Sequence, residues 1–339
     1  MSAGPSDNIE APTIDEVDRF VVGTGRCGST LLTKMLDSHR SACGLNEVFT
    51  GLDWGRRFTD QQVDGAWVAD LLGTPNHVID MVLGKGYDAE EVTYPFRPTD
   101  RYRRGDPMPW ILTSCLGHLT DDPDGLWDRL GAELSRRSIG PLRQHYRAFF
   151  AALAEPTGAT AWIERSGSSV EYLDGILSVF GEARVVHLVR SGPEVALSMR
   201  NHPFYRLAVQ LYYGVMPEGV DPEDSDGIVD GWLEGNPAVE LYGRYWSDQL
   251  IKGAEPLARL GDERLLTVSF EELVVDPMKH MERLAAFFEL PSDPGFSERA
   301  SAMVRGVPPS RVDELGSDDR TALLAACEPG QAVLAAFGR

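Results

Sequence analysis

Residues 20-FVVGTGRCGSTLLTKML-36 read as three consecutive parts. An apolar run with β-branched valines comes first, then a turn built on Gly23, Gly25 and Gly28, then a helix with Leu31, Leu32, Met35 and Leu36 at helical spacing. Strand, tight turn and helix in this order make a cradle for phosphate. The glycines let backbone N–H groups approach an anion, the helix N-terminus adds partial positive charge, and Ser29 and Thr30 add hydroxyl donors. Three chemistries share these letters. Gly23, Gly25 and Gly28 spell G-x-G-x-x-G, with Glu47 downstream, close to where a dinucleotide fold places its ribose-binding acid. Gly23 and Gly28 followed by Ser29-Thr30 also spell a Walker-type loop, with Ser29 where that motif needs Lys. The third reading puts the cation inside the loop, at Arg26. A plain strand-to-helix turn would use the same glycines.

Outward from this unit the pattern repeats. Arg19 to Gly23, Ala183 to Val189 and Leu265 to Phe270 are strand-like and each leads into a helical pattern, and residues 161 to 165 add a further strand. Asp276 and Pro277 stand as N-cap and first residue of a helix with Met281, Leu284, Ala285 and Phe288 on one face. Continuous apolar strands between helices predict an α/β fold, a P-loop-like central parallel β-sheet flanked by helices. Residues 1–17 are polar and acidic and are expected as a flexible tail before a single domain over 18–339. Helical and loop insertions at about 51–160 and 202–260 are expected to cap the sheet's carboxyl edge, where α/β proteins bind ligands. The acidic stretch Asp221 to Asp230 is expected as a solvated loop.

A second signal lies in 184-RVVHLVRSGPEVALSM-199. It places Arg190 at the end of a strand and Ser198 on the second turn of the following helix. Together they offer a charge-assisted fork and a hydroxyl to one more phosphate.

Composition bounds the chemistry. Hydrophobic residues make up 42% of the 339 residues, and no apolar run approaches the ~18 needed to span a bilayer, so a soluble globular protein without integral membrane association is expected. The formal net charge of −20 requires any anionic ligand to find a local basic site and speaks against nucleic acid as a partner. Lys34, Lys85, Lys252 and Lys279 are the only lysines; every other cation is Arg, suited to bidentate oxyanion recognition. Cys27, Cys43, Cys115 and Cys327 form no C-x-x-C pair, which argues against a disulfide scaffold or a Cys-based zinc site. With no secretory-signal layout at the N-terminus, a cytoplasmic location is expected.

The two segments together resemble the two cofactor-binding signatures of sulfotransferases that use 3′-phosphoadenosine 5′-phosphosulfate (PAPS). GTGRCGSTLL is similar to their 5′-phosphosulfate loop in the bacterial-type branch that carries Arg as the loop cation. LVRSGPEVALS is similar to their 3′-phosphate signature with Arg and Ser in register, and 266-LTVSFEELVVDPMKHMERLAAFFELP-291 is similar to the closing strand and helix. The resemblance covers the α/β framework and not the inserted regions. It implies transfer of a sulfuryl group from PAPS, as co-substrate and with no metal, to a hydroxyl of a small-molecule, carbohydrate or lipid-linked acceptor. By the same resemblance Gly25, Arg26, Cys27, Gly28, Ser29 and Thr30 would form the 5′-phosphate cradle, with Arg26 at the bridging and leaving oxygens. Arg190 and Ser198 would hold the 3′-phosphate, and Arg305 and Arg311 of 305-RGVPPSR-311 resemble the family's basic C-terminal strap. Two elements depart from the pattern. Arg190-Ser191-Gly192-Pro193 stands where the family often has Arg-Asp-Pro, and Glu164-Arg165-Ser166-Gly167 replaces a Lys-Thr-Pro-like element, leaving Arg165 as a candidate cofactor ligand.

Two candidates for the base follow from the family's branches. A Glu just after the second short strand serves in one branch, and 43-CGLNEVF-49 places Glu47 there; a His serves in another, for which His118 is the candidate. His187 reads as core and His39 as the end of the loop helix. A P-loop kinase or NTPase, a dinucleotide-dependent oxidoreductase and a non-catalytic nucleotide-binding module stand as rival readings. Trp54, Trp67, Trp110, Trp127, Trp232 and Trp246 in the insertions are candidates for a pocket or for packing. The oligomeric state is not legible.

Overall fold

The computed structural model describes residues 14–235 and 237–338. Its strands in chain order are β1 (Arg19–Gly23), β2 (Ala42–Asn46), β3 (Gln62–Val63), β4 (Gly140–Pro141), β5 (Ala161–Arg165), β6 (Arg184–Val189) and β7 (Leu265–Ser269). Five of them form one parallel sheet in the spatial order β2-β5-β1-β6-β7, while β3 and β4 pair as a two-residue antiparallel ribbon inside the first insertion.

Strand β1 shows why the sheet must be covered on both faces. All five of its residues are buried. Phe20 and Val22 enter one apolar cluster with Trp162 and Val185, whereas Val21 enters the other with Ile163, Val186 and Val268. Side chains alternate across a strand, so an uninterrupted apolar run needs helices above and below it. Helix Ser29–Asp37 supplies one cover through Leu32, Met35 and Leu36. On the opposite face Phe20 packs edge-on to Trp162 at 5.7 Å and against Phe180 at 4.9 Å. The helix start expected at Asp276 and Pro277 is realised: the Asp276 carboxylate accepts from Lys279 N at the head of Pro277–Phe287.

The order of connections makes the site. From β1 the chain runs out to the edge strand β2, returns at β5, and only then crosses to β6 and β7 on the other side. Such a reversal at a central strand leaves a crevice at the strands' carboxyl ends.

The insertions carry helices, with His77–Gly84 in the first and Pro203–Tyr213 and Val239–Ala258 in the second. Two expectations need correction. Much of the acidic stretch Asp221 to Asp230 is helix: Asp224 caps Ser225–Glu234 by accepting from Gly227 N at 3.0 Å, and Val229, Trp232 and Leu233 are buried. Their apolar spacing outweighs the acidic composition. The expected tail over 1–17 lies outside the described residues as far as 13, but from Ile14 onward the chain is tied down. Ile14 packs on the core, Asp15 N donates to Thr160 O at 2.8 Å, and the Asp15 carboxylate pairs with the buried Arg19. Among the described residues no helix is long and apolar enough to cross a membrane.

Candidate active site

Every strand of the sheet delivers a residue from its carboxyl end to one cavity of about 1340 Å³. Arg26 follows β1, Glu47 follows β2, Arg165 ends β5, Arg190 follows β6 and Phe270 follows β7, and all five line the cavity.

The loop after β1 needs its glycines for close approach. A Cβ on Gly25 would fall inside the Tyr205 phenol, and one on Gly28, at φ +96°, inside the Phe270 ring. Gly28 stands at the N-cap of Ser29–Asp37, whose first residues Ser29 and Thr30 line the cavity. Cys27 is buried under the loop rather than in the cavity wall, and desolvation pushes its thiol up. Arg26 holds φ 62° and Glu47 φ 56°, left-handed conformations that non-glycine residues keep chiefly where surrounding structure enforces them.

Arg26 is the hub of the cationic end. Its Nη1 lies 2.6 Å from Glu91 Oε1 and 3.0 Å from Glu90 Oε1, and its Nε donates to Ser198 Oγ at 3.4 Å. Its backbone oxygen accepts from Arg190 Nη1 at 3.2 Å. The loop cation and the two residues of the second signal therefore form one cluster. Burial disfavours the charge on Arg26, but Glu91 and Glu90 outweigh it and raise its proton affinity. Arg190 stacks at 4.7 Å over the Phe270 ring, and burial together with the nearby Arg311 lowers its proton affinity. Arg305 and Arg311 line the same cavity, and Arg311 Nε lies 3.7 Å from Glu194 Oε2.

Glu47 is held from three sides. Arg165 Nη1 donates to Oε1, while Thr50 Oγ1 and Gly167 N donate to Oε2, the latter at 2.8 Å. Its backbone oxygen accepts from Trp110 Nε1 at 2.7 Å. Arg165 is itself buried, and its Nη2 donates to Asn46 Oδ1 at 2.8 Å. Beside it, burial pushes the Glu164 carboxyl up to about 8, against a hydrogen bond from Ser166. His118 is absent from the cavity's lining residues. It sits behind β2, with Nε2 3.1 Å from Asn46 Nδ2 and 3.3 Å from Gly44 O, so it reaches Glu47 only through Asn46 and Arg165. Burial lowers its proton affinity.

Several cavity residues escape the sequence reading. Glu90 and Glu91 come from the first insertion, where no local pattern ties them to the loop. His202, whose Nε2 lies 3.0 Å from Glu91 Oε2, stands four residues after Ser198, past the end of the helix Gly192–Arg200, so no helical spacing in the sequence flags it. Burial opposes the Glu91 charge, but His202 and Arg26 bring its carboxyl down to about 2. Of the tryptophans singled out, Trp54 and Trp110 line the cavity; Trp67 and Trp127 pack against the core, and Trp232 and Trp246 belong to it.

No curated protein sequence matches the chain. Among solved structures it is similar to the sulfotransferase domain from the curacin biosynthetic pathway, at 13% identity and a TM-score of 0.49, covering 95% of this chain and 98% of that one. It is similar to the sulfotransferase domain of the Synechococcus PCC 7002 olefin synthase, at 16% identity and a TM-score of 0.48 over 97% and 98%. A third is a sulfotransferase from Alicyclobacillus acidocaldarius, at 14% identity and a TM-score of 0.42 over 96% of each chain. A model of the sulfotransferase family matches residues 229–294, a segment that contains the closing strand and helix but neither nucleotide-type signature. Over that segment the chain carries the sequence pattern of the sulfotransferase family.

Proposed function

We propose that this protein is a PAPS-dependent sulfotransferase acting in the cytoplasm on a hydroxyl acceptor. The observation that carries the reading is the Arg26–Ser198–Arg190 cluster, assembled from two signatures far apart in sequence and sharing a cavity with Glu47. The residues fit the donor's anions: a helix N-terminus whose Ser29 and Thr30 line the cavity, and converging arginines in a protein of net charge −20.

Bound PAPS would supply the activated sulfuryl group. Gly28, Ser29 and Thr30, which line the cavity, present N–H and hydroxyl donors to the 5′ end, whereas Gly25 lies outside the lining and its N–H donates to Gln249 Oε1 at 3.4 Å. Arg26 places positive charge where the leaving phosphate gains negative charge. Arg190 and Ser198 bind the 3′-phosphate, with Arg305 and Arg311 adding charge from the 305–311 segment. Glu47 takes the acceptor's hydroxyl proton, and Arg165, Thr50 and Gly167 hold its carboxylate in place for that task. Arg165 thereby serves as a positioning residue for the base.

Thermal unfolding with 3′-phosphoadenosine 5′-phosphate (PAP), NAD or Mg-ATP tests the donor. PAP at one hundred times its Kd should add ~2.7 kcal/mol to the unfolding free energy. Greater stabilisation by NAD or Mg-ATP would overturn the reading. Incubating an extract with the protein and PAPS should then yield products heavier by one sulfuryl group in mass spectra.

A further inference from the structure

Away from the arginine cluster the cavity changes character. Its walls there come from Val78 and Ile79 of His77–Gly84, from Phe204, Leu207 and Leu211 of Pro203–Tyr213, and from Trp54. Several of these stand in the open: Trp54 is 63% exposed, Leu211 52% and Val78 39%. Apolar side chains that line a cavity while exposed to solvent offer a surface that a ligand can cover. At about 1340 Å³ the space exceeds the ~300–1,000 Å³ of an ordinary small-molecule pocket, so a second ligand fits beside a nucleotide.

The polar groups in this half already have partners. Asn76 accepts from Ile79 N at 3.3 Å and donates to Gly51 O at 3.2 Å. Glu171 holds Lys252 Nζ at 2.6 Å and accepts from the Tyr245 hydroxyl at 3.4 Å. The Ser168 and Tyr205 hydroxyls face each other at 3.1 Å. A saccharide entering here would bury many hydroxyls among groups already engaged, and unpaired buried polar groups are penalised. An apolar body asks no hydrogen bond of those groups and gains from every methylene it removes from water.

We infer that the acceptor is an uncharged alcohol with a long, largely apolar body, which lies along Val78, Leu211 and Trp54 and presents its hydroxyl toward Glu47. The inference rests on the sulfotransferase reading. In the step it completes, the sulfur–oxygen bond to the donor's 5′-phosphate breaks and a sulfur–oxygen bond to the acceptor forms. The hydroxyl proton passes to Glu47, and PAP is released.

Titration calorimetry with the n-alkanols hexanol to decanol, in the presence and absence of PAP, tests the inference by binding alone. Affinity should rise by roughly twofold to fourfold per added methylene, the worth of burying each one. Glucose and maltose should bind far more weakly. Leu211→Glu and Val78→Glu, both at exposed positions, should flatten the chain-length dependence, with PAP binding in the same variants as the check on folding. The inference is overturned by alkanol affinities that ignore chain length, by a saccharide that binds as tightly as decanol, or by variants that keep the wild-type dependence. Failure of PAP to bind would instead sink the donor assignment, while the chain-length dependence measured without PAP would still report on the apolar site.

Discussion

Arg26 and Glu91 form a 2.6 Å ion pair inside the cavity, and Glu91 in turn holds His202 at 3.0 Å. The loop cation, which the proposed reading sets against the donor's anion, is thus already engaged by a carboxylate from the first insertion. An incoming phosphate competes with that carboxylate for one guanidinium. Glu91→Gln removes the competing charge while keeping the shape, so PAP affinity should increase by about tenfold, within the worth of a hydrogen bond to a charged group. Calorimetry on the two proteins decides the matter. A loss of affinity would mean that Glu91 holds Arg26 in its binding position instead.

Arg190 and Ser198 meet at Arg26 from the other side. Arg190→Ala should weaken PAP binding by ~1.5 to 3 kcal/mol, and Ser198→Ala by less, since a neutral hydroxyl makes the weaker bond. The matching comparison uses adenosine 5′-phosphosulfate, which lacks the 3′-phosphate. Its affinity should be nearly the same in wild type and Arg190→Ala, and an equal loss for both ligands would place the 3′-phosphate elsewhere.

On the proposed reading Glu47 is the base and Arg165 its positioning partner. Glu47→Gln removes the proton acceptor and should lower kcat by ~10² to 10⁴ with PAP affinity near that of wild type. Arg165→Met keeps the carboxylate but frees it from its buried partner, so kcat should fall with PAP affinity near that of wild type, and Arg165→Lys should restore part of it, which a purely structural loss would not produce. His118 touches this pair only through Asn46, so His118→Ala should retain most of kcat. Turnover abolished in His118→Ala but kept in Glu47→Gln would reverse the assignment.

His187 lies in β6, fully buried, and neither ring nitrogen has a hydrogen-bond partner among the described residues. Desolvation lowers it from its ordinary value near 6.5 to about 4. The folded state therefore binds this proton more weakly than the unfolded chain does. Its contribution is present above pH 6.5 and is lost as the pH falls toward 4, amounting to roughly 3 kcal/mol in all. Replacing it by Leu should flatten stability over that window and raise it at low pH, as urea unfolding at pH 7 and pH 4.5 would show. An unchanged difference between the two pH values would assign the acid sensitivity to other groups.

What the sequence determined by itself lies in short stretches. The run from Phe20 to Leu36, the β6 unit around Arg190 and the Asp276-Pro277 helix start are legible because turn chemistry, capping and apolar period act between neighbours in the chain. The same reading marked Arg26 inside the glycine-rich loop, Glu47 just after a short strand and Arg190 at the end of a strand. The tertiary structure decided which partners those residues meet. Arg165 lies far from Glu47 in sequence, yet β2 and β5 are adjacent with Asn46 opposite Arg165, and that register puts the guanidinium on the carboxylate. Glu91 reaches Arg26, and Leu211 reaches the cavity mouth, through insertions whose placement depends on packing across the whole domain. The same dependence made the acidic stretch after Asp221 fold as a helix, because Val229 and Trp232 found a surface to bury against. No local pattern carries that information, since the free energy that fixes it comes from side chains remote in sequence.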